Sequence, residues 1–387
     1  MTPTFFSTPH KLGILGGGQL GKMILRHTLQ WDIYTKILDP DAEAPCRHAC
    51  HEFVQGDLQD YDTVYNFGKD CTVLTIEIEH VNTEALRQLK AEGVIVHPDP
   101  EALATIQDKG LQKIFYTSMD LPTTNFSLHD GRESILDGLK NGIIHYPFVQ
   151  KTRKAGYDGK GVSIIRSADD LDKLMPMESL VEDMVDMETE IAVIVARNAQ
   201  GEIVCYDPVS MDFHAEANLL DLLLYPAPVD EKMAEHAKRI SRLLIEALNI
   251  CGLLAVEFLI GKDGQLWINE VAPRPHNSGH QTIESSMTSQ YEQHLRGILN
   301  LPMGSTAMIS PSAMVNLLGA EGHQGDVVYE GLEECLADAN VHIHIYGKKK
   351  TKPFRKMGHV TVTAASLEEA KNKAIWIKEK LQVRSRS

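Results

Sequence analysis

The sequence predicts a mixed chain of α/β and α+β parts: an N-terminal doubly wound parallel sheet, a central domain carrying a small lid, and a small β-rich C-terminal domain. Three observations lead there. Apolar runs alternate with helical stretches over roughly the first hundred residues, as a parallel sheet requires. After Pro122 the pattern shifts to short strands and turns, and beyond residue 310 a β-branched run, Val341 to Tyr346, returns through a basic loop into Met357 to Thr363. Boundaries are expected at 1–105, 106–310 and 311–387, with the lid at about 122–186.

The first unit opens with Lys11 to Gly16 as a strand, which enters Gly16-Gly17-Gly18-Gln19-Leu20-Gly21, and Lys22 to Gln30 then has helical character. This is a βα unit on a glycine-rich turn. Further strands are expected at Tyr34 to Leu38, Val73 to Ile78 and Val94 to Val96. The glycines satisfy G-x-G-x-x-G, and Asp39 stands at about the distance, ~20 residues on, of the acid in a dinucleotide fingerprint. Taken alone, the motif favours NAD. It also suits another phosphate or sugar at a helix N-terminus, or plain tight packing.

In the centre, strands are expected at Pro147 to Lys151, Val162 to Ile165 and Leu180 to Asp183, and a helix over Glu231 to Leu248. Leu254 to Ile260 and the strand ending in Trp267-Ile268-Asn269-Glu270 are joined by Gly261-Lys262-Asp263-Gly264, which reads as a hairpin turn. Two antiparallel strands would hold Glu257 and Glu270 side by side, a seat for magnesium. Past Glu270 the run Val271-Ala272-Pro273-Arg274-Pro275-His276-Asn277-Ser278-Gly279-His280 gathers guanidinium, amide and imidazole groups at a strand exit.

Composition narrows the function classes. At 387 residues, with 43% hydrophobic and 24% charged, the chain is ordinary globular material. No run of about 18 apolar residues and no leader pattern is present, so neither a membrane partner nor secretion is expected, and the location expected is cytoplasmic. A net charge of −15 argues against a nucleic-acid surface. Cysteines 46, 50, 71, 205, 251 and 335 are scattered and read as free thiols. Cys46-Arg47-His48-Ala49-Cys50-His51 bunches four soft donors, but without a second ligand pair it reads as a short helical turn rather than a zinc site.

Lys151 closes a strand, and Ala155-Gly156-Tyr157-Asp158-Gly159-Lys160-Gly161-Val162 follows. Its glycines would let a hairpin close over phosphates, with Lys151 and Lys160 adding charge; an ordinary turn is the plainer alternative. Glu182 and Glu190 could accept hydrogen bonds from an adenine amine and ribose hydroxyls.

The ordered series Lys109, Lys151, the glycine loop, Glu182, Glu190, Glu257, Asn269 and Glu270 resembles the ATP-grasp superfamily. With Gly16 to Gly21, Asn269 to His280 and Arg355-Lys356-Met357-Gly358-His359, the likeness narrows. From about residue 11 to 365 the chain resembles the N5-carboxyaminoimidazole ribonucleotide synthetase family. That resemblance implies a central ATP-grasp domain and carboxylation of 5-aminoimidazole ribonucleotide with ATP and bicarbonate through carboxyphosphate.

By the same resemblance ATP is held by Lys109, Lys151, Gly156, Tyr157, Asp158, Gly159, Lys160, Gly161, Val162, Glu182, Asp183, Met184, Val185, Glu190, His214, Asn269 and Glu270. Glu257 and Glu270 hold Mg2+. Arg274, His276 and Asn277 meet the activated carboxyl group, and Asp158 orients or deprotonates the amine. Gln19, Leu20, Glu79, Tyr157, Lys348, Arg355 and Lys356 bind the ribonucleotide, and a homodimer is implied. Lys109 stands where relatives often carry Arg, which keeps charge and loses a bidentate fork. Two other activities remain open at this stage: formate-dependent formylation of glycinamide ribonucleotide by a sister enzyme, and an NAD-dependent oxidoreductase.

Overall fold

A computed structural model describes residues 4–154, 156, 161–213 and 219–386. Among these, the strands form four sheets. The first is built from β1 (Lys11–Leu15), β2 (Tyr34–Asp39), β3 (Glu52–Gln55), β4 (Val73–Ile76) and β5 (Ile95–Val96), in the order β3-β2-β1-β4-β5 with every pairing parallel. Both faces are covered, which is why β1 and β4 are almost continuously apolar. One face packs with the helices Gln19–Gln30 and Gln290–Ile298, through Leu12, Ile14, Ile24, Tyr291 and Leu295. The strand order reverses between β1 and β4, and such a reversal leaves a crevice beyond the carboxyl ends of the two strands.

The lid sheet is antiparallel, with β6 (Phe126–His129), β7 (Phe148–Thr152), β8 (Val162–Ile165) and β9 (Ser179–Asp183) in the order β6-β9-β7-β8. Gly161 sits at φ +79°, and a Cβ there would stand 2.4 Å from Thr152 Oγ1, so the turn into β8 needs glycine.

The largest sheet contains β10 (Met187–Arg197), β11 (Ile203–Cys205), β12 (Val209–Phe213), β13 (Leu220–Tyr225), β14 (Gly252–Gly261) and β15 (Leu266–Ala272). It continues through β16 (Ser312–Leu318), with β17 (Gly325–Glu330), β18 (Val341–Ile345), β19 (Lys350–Thr351), β20 (Lys356–Thr363) and β21 (Gln382–Ser385) completing the chain's strands. Its order is β15-β14-β10-β12-β13-β16-β20-β18, with β11 on β10, while β19-β17-β21 form a small separate sheet. β13 pairs with β16 in the register Leu222↔Val315, so one sheet crosses residue 310 without a break.

The helix Glu231–Ala247 starts at Asp230, whose carboxylate accepts from Met233 N at 2.8 Å. It lays Ala237, Ile240, Leu244 and Ile245 on Ile191, Val193, Leu254, Val256 and Phe258. Each buried Leu, Ile or Phe contributes about 1.5–3 kcal/mol. Side chains alternate along a strand, so Glu257 on β14 and Glu190 on β10 project from the face opposite that helix.

On β15 the core-facing residues are Leu266, Ile268 and Val271, a step of two and then of three. The extra step is a β-bulge: Glu257 pairs with Glu270 and Phe258 with Ile268, leaving Asn269 as the surplus residue. Asn269 and Glu270 therefore share the face of Glu257, although they are adjacent in sequence. Cys46 to Cys50 form a turn with Cys46 buried. Among the described residues no group of His, Cys, Asp or Glu is arranged as a ready-made metal cage, and no helix is long and apolar enough to cross a membrane.

Candidate active site

Three carboxylates meet on the open face of the large sheet. Glu257 and Glu270 are opposite one another in register; Glu190 pairs with Leu259 and so lies diagonal to Glu257. Asn269 and Glu257 both act on the Glu190 carboxyl. Burial first, and then the neighbouring acids, hold the Glu190 and Glu257 carboxyls above the usual range. Glu270 behaves oppositely: burial would raise it, but the Lys109 ammonium bonded to it outweighs that and holds it low. Crowded acids of this kind call for a cation.

Their donors are all oxygen, which suits a hard divalent ion. They do not by themselves enclose one. Magnesium usually takes one or two carboxylates and completes its shell with phosphate oxygens and water, so the residues present fit that ion bound together with a polyphosphate.

Two lysines share one further carboxylate, Glu182. Lys151, on β7, donates to Asn269 Oδ1 at 2.7 Å and pairs with Glu182 Oε1 at 2.5 Å. Lys113 pairs with Glu182 Oε2 at 2.6 Å and donates to Thr124 Oγ1 at 2.8 Å. Burial would raise the Glu182 carboxyl, and Lys151 and Lys113 together drive it well below the carboxylate range. The sequence reading assigns this carboxylate to adenine or ribose; in the structure it pairs with two ammonium groups, which places Lys151 over the acids. Asp183 ends β9 and accepts from Asn125 Nδ2 at 2.9 Å; Met184 and Val185 follow in the link to β10. Lys109 opens a helix capped by Asp108, whose carboxylate also binds Arg153 at 2.7 Å.

At the exit of β15, Arg274 reaches the first sheet's crevice, with Nη2 2.8 Å from Glu79 Oε1 and Nη1 donating to Pro275 O at 2.9 Å. Two residues expected on separate substrates are thus a direct ion pair. His276 Nε2 lies 3.5 Å from Glu257 Oε1, and its Nδ1 lies 2.8 Å from Ser278 Oγ and also caps the turn Asn277–Gly279. Asn277 Nδ2 is buried and has no hydrogen-bond partner among the described residues. His276 therefore joins the acid cluster to the turn Asn277–Gly279.

The glycine loop corrects the dinucleotide reading. Gly17 N donates to Asp39 Oδ2 at 2.6 Å, and Gly18 N and Gly21 N each donate to the Glu77 carboxylate at 2.9 Å. Amides that a pyrophosphate would use are taken by two acids of the same domain. A Cβ on Gly16 or Gly18 would come within 2.5 and 2.7 Å of Glu77, so the glycines make room for that carboxylate. Burial holds the Glu77 carboxyl up, with the amides of Gly21 and Gly18 pulling against it. Glu77 was not foreseen; a lone acid ending an apolar strand looks like a surface residue until the crevice opposite the glycine loop is known.

The side chain of Leu20 belongs to the core shared with Leu12 and Ile24. Gln19 lines a cavity of about 290 Å³ together with Lys22, His344 and Tyr346. Lys348 and Arg355 brace their own loop, Lys348 Nζ on Lys356 O at 2.8 Å and Arg355 Nη1 on Lys350 O at 2.7 Å. Gly156 is described only as loop, Gly161 and Val162 lead into β8, and Tyr157, Asp158, Gly159, Lys160 and His214 lie outside the described residues.

Comparison with known proteins covers nearly the whole chain. Residues 10–107 match the ribonucleotide synthetase preATP-grasp domain, 114–291 the ATP-grasp domain and 312–373 the phosphoribosylaminoimidazole carboxylase C-terminal domain. A crystal structure of N5-carboxyaminoimidazole ribonucleotide synthetase from Thermotoga maritima is 40% identical, covers 97% of this chain and 100% of that one, and superposes with a TM-score of 0.90. The N5-carboxyaminoimidazole synthase of Aspergillus clavatus, solved with ADP and 5-aminoimidazole ribonucleotide, is 30% identical over 96% of this chain and 98% of its own, with a TM-score of 0.86. The chloroplastic phosphoribosylaminoimidazole carboxylase of Vigna aconitifolia is 34% identical over 365 residues; this chain spans 64% of that longer protein. With three consecutive domain matches and full-length likeness at these identities, the chain belongs to the N5-carboxyaminoimidazole ribonucleotide synthetase family of ATP-grasp proteins.

Proposed function

We propose that this protein carboxylates the amine of 5-aminoimidazole ribonucleotide, a step of purine biosynthesis, consuming ATP and bicarbonate and releasing ADP and phosphate. The observation that carries the reading is the in-register pair Glu257 and Glu270, with Lys109 and Lys151 over it and Arg274 and His276 on the same strand's exit. Bicarbonate is a poor electrophile; an oxygen of it attacks the γ-phosphorus, the bond from that phosphorus to the bridging oxygen breaks, ADP leaves, and carboxyphosphate is formed. The amine nitrogen then attacks the carboxyl carbon, the carbon–oxygen bond to phosphate breaks, and one amine proton leaves.

Lys109 and Lys151 neutralise the phosphates, and Glu190 and Asn269 orient the ribose end and the acids. Glu257 and Glu270 would hold magnesium, which would supply charge compensation to the triphosphate. Arg274 clamps carboxyphosphate through its paired donors, and His276 and Asn277 polarise it. Asp158 takes the amine proton. Gly156 to Val162 closes over ATP with Tyr157, excluding water from a species that would otherwise hydrolyse. His214, Glu182, Asp183, Met184 and Val185 complete the nucleotide's surround, while Gln19, Leu20, Glu79, Lys348, Arg355 and Lys356 take the ribonucleotide. The working unit is a cytoplasmic homodimer, each chain divided at 1–105, 106–310 and 311–387.

The test is phosphate release from ATP. Release that needs both bicarbonate and aminoimidazole ribonucleotide supports the proposal; release that needs formate and glycinamide ribonucleotide instead rejects it.

A further inference from the structure

Three histidines that no step above uses form one stack beside the strand exit. The rings of His280 and His359 lie 4.4 Å apart at 28°, and those of His359 and His344 lie 4.3 Å apart at 10°. Register explains part of this, since His344 on β18 is directly opposite His359 on β20. Ile343, Ile345 and Val360 turn to the other face, into the core under the helix Leu367–Lys380. The stack is tied at each ring: Tyr291 Oη to His280 Nδ1 at 2.7 Å, Tyr346 Oη to His359 Nδ1 at 3.0 Å, and His344 Nε2 to Glu284 Oε1 at 2.8 Å.

Its position in the chain is telling. β18 and β20 are the two posts of the loop that carries Lys348, Arg355 and Lys356, while His280 belongs to the run that carries Arg274 and His276. Lys22, from the helix Gln19–Gln30, adds a further tie by donating to Ile345 O and Tyr346 O at 3.1 and 3.2 Å. A purely packing role would be served by Leu or Phe, because burying imidazole costs free energy unless it is hydrogen-bonded. His359 is 0% exposed, and its Nε2 has no hydrogen-bond partner among the described residues. What polar rings give in return for that cost is direction: hydrogen bonds fix one mutual orientation of two segments, where apolar contact tolerates several.

We infer that His359 is a positioning residue, setting the basic loop 348–356 against the strand exit 274–280. The ribonucleotide's phosphate and its amine are thereby held in line with the activated carboxyl group. The inference rests on the function proposed above.

The experiment is steady-state kinetics of His359→Phe, His359→Gln and Tyr346→Phe with ATP and aminoimidazole ribonucleotide each varied, alongside thermal unfolding and ADP binding. For His359→Phe, kcat/KM for the ribonucleotide is expected to fall roughly ten- to a hundredfold, as misplacement by about 1 Å does, while the KM for ATP stays within about twofold. Phosphate release should exceed product, because carboxyphosphate then meets a misaligned amine. Tyr346→Phe should move the same parameter less, and His359→Gln, which keeps a polar partner for Tyr346, should recover part of the loss.

An unchanged ribonucleotide kcat/KM in folded His359→Phe overturns the inference, as does an equal loss for ATP and ribonucleotide. If His359→Phe does not fold, Tyr346→Phe decides, since it removes a single hydroxyl. A wild-type protein without ribonucleotide-dependent phosphate release overturns the functional proposal and this inference together; an active wild type with insensitive variants overturns only the latter.

Discussion

The strand exit from Asn269 to His280 has two unlike neighbourhoods. On one side, Glu190, Glu257 and Glu270 crowd together under Lys109 and Lys151, and two of the three acids are held above their ordinary range. On the other, His280, His359 and His344 stack with Tyr291 and Tyr346 nearby, and burial keeps the His280 and His359 rings neutral. The first neighbourhood is electrostatically incomplete and is relieved by what binds there. The second is tied ring by ring to side chains of the chain itself, His280 to Tyr291, His359 to Tyr346 and His344 to Glu284. A chain breaks local rules where it must act and obeys them where it must only hold shape, and this strand does both within a dozen residues.

The largest expected effect tests how far the charged side is internally paired. Glu182→Gln would leave the Lys113 and Lys151 ammonium groups short of a buried carboxylate, and a stability loss of about 3–5 kcal/mol is expected in urea unfolding. A loss under about 1 kcal/mol would mean that both lysines reach water and that the pairing is weak.

Glu257→Gln should separate activity from stability. ATP turnover is expected to fall on the order of 10²–10³, the several kcal/mol that charge compensation at the phosphates supplies. The melting temperature of the ligand-free protein should hold or rise, because one of three crowded carboxylates is gone. If the variant instead melts earlier with turnover intact, Glu257 is a framework residue.

Next in size is ligand linkage. A non-hydrolysable ATP analogue with magnesium, at about a hundred times its Kd, should stabilise the protein by about 2.7 kcal/mol. Chelating the metal should remove most of that shift in wild type and little in Glu257→Gln, read by thermal unfolding.

The smallest effect belongs to the neutral side. His280 and His359 bind a proton less readily folded than unfolded, chiefly through burial, with neighbouring cations adding to it. Below the ordinary histidine pKa of about 6.5 the unfolded chain therefore takes up more protons, and stability falls as pH drops, by up to about 1.4 kcal/mol per pH unit for each ring. Above that pH the contribution is fully present. His97, lowered to about 4, and His294, to about 3, give a background common to wild type and variant. Melting temperatures between pH 7.5 and 5.5 should fall less steeply for His359→Phe; equal slopes would show that His359 does not titrate on unfolding.

How much of this was legible follows the range of each interaction. The acid pair was, because strand alternation and the turn at Gly261 to Gly264 are local, and so was the parallel character of the first sheet. Glu182 was legible as a residue but its ion pairs were not, since its partner Lys113 is a mid-helix lysine with no motif around it. Glu77 and the histidine stack were missed because their meaning comes from pairings across long stretches of chain: Glu77 with Gly18 and Gly21, His280 with His359. The fingerprint at Gly16 to Gly21 misled for the same reason, as spacing states what a loop permits and not which carboxylate already fills it. The run of one sheet past residue 310 depends on β13 meeting β16, which composition does not signal.

The bulge at Asn269 also works as a phase setting. A regular strand sends consecutive side chains to opposite faces, so a single surplus residue shifts everything downstream by half a period. Deleting one residue between Ile268 and Val271 would keep the composition of the exit almost intact and turn Arg274 and His276 toward the wrong side. The chain's chemistry thus depends on a parity, on whether the count of residues before Arg274 is odd or even, as much as on the identity of any one of them.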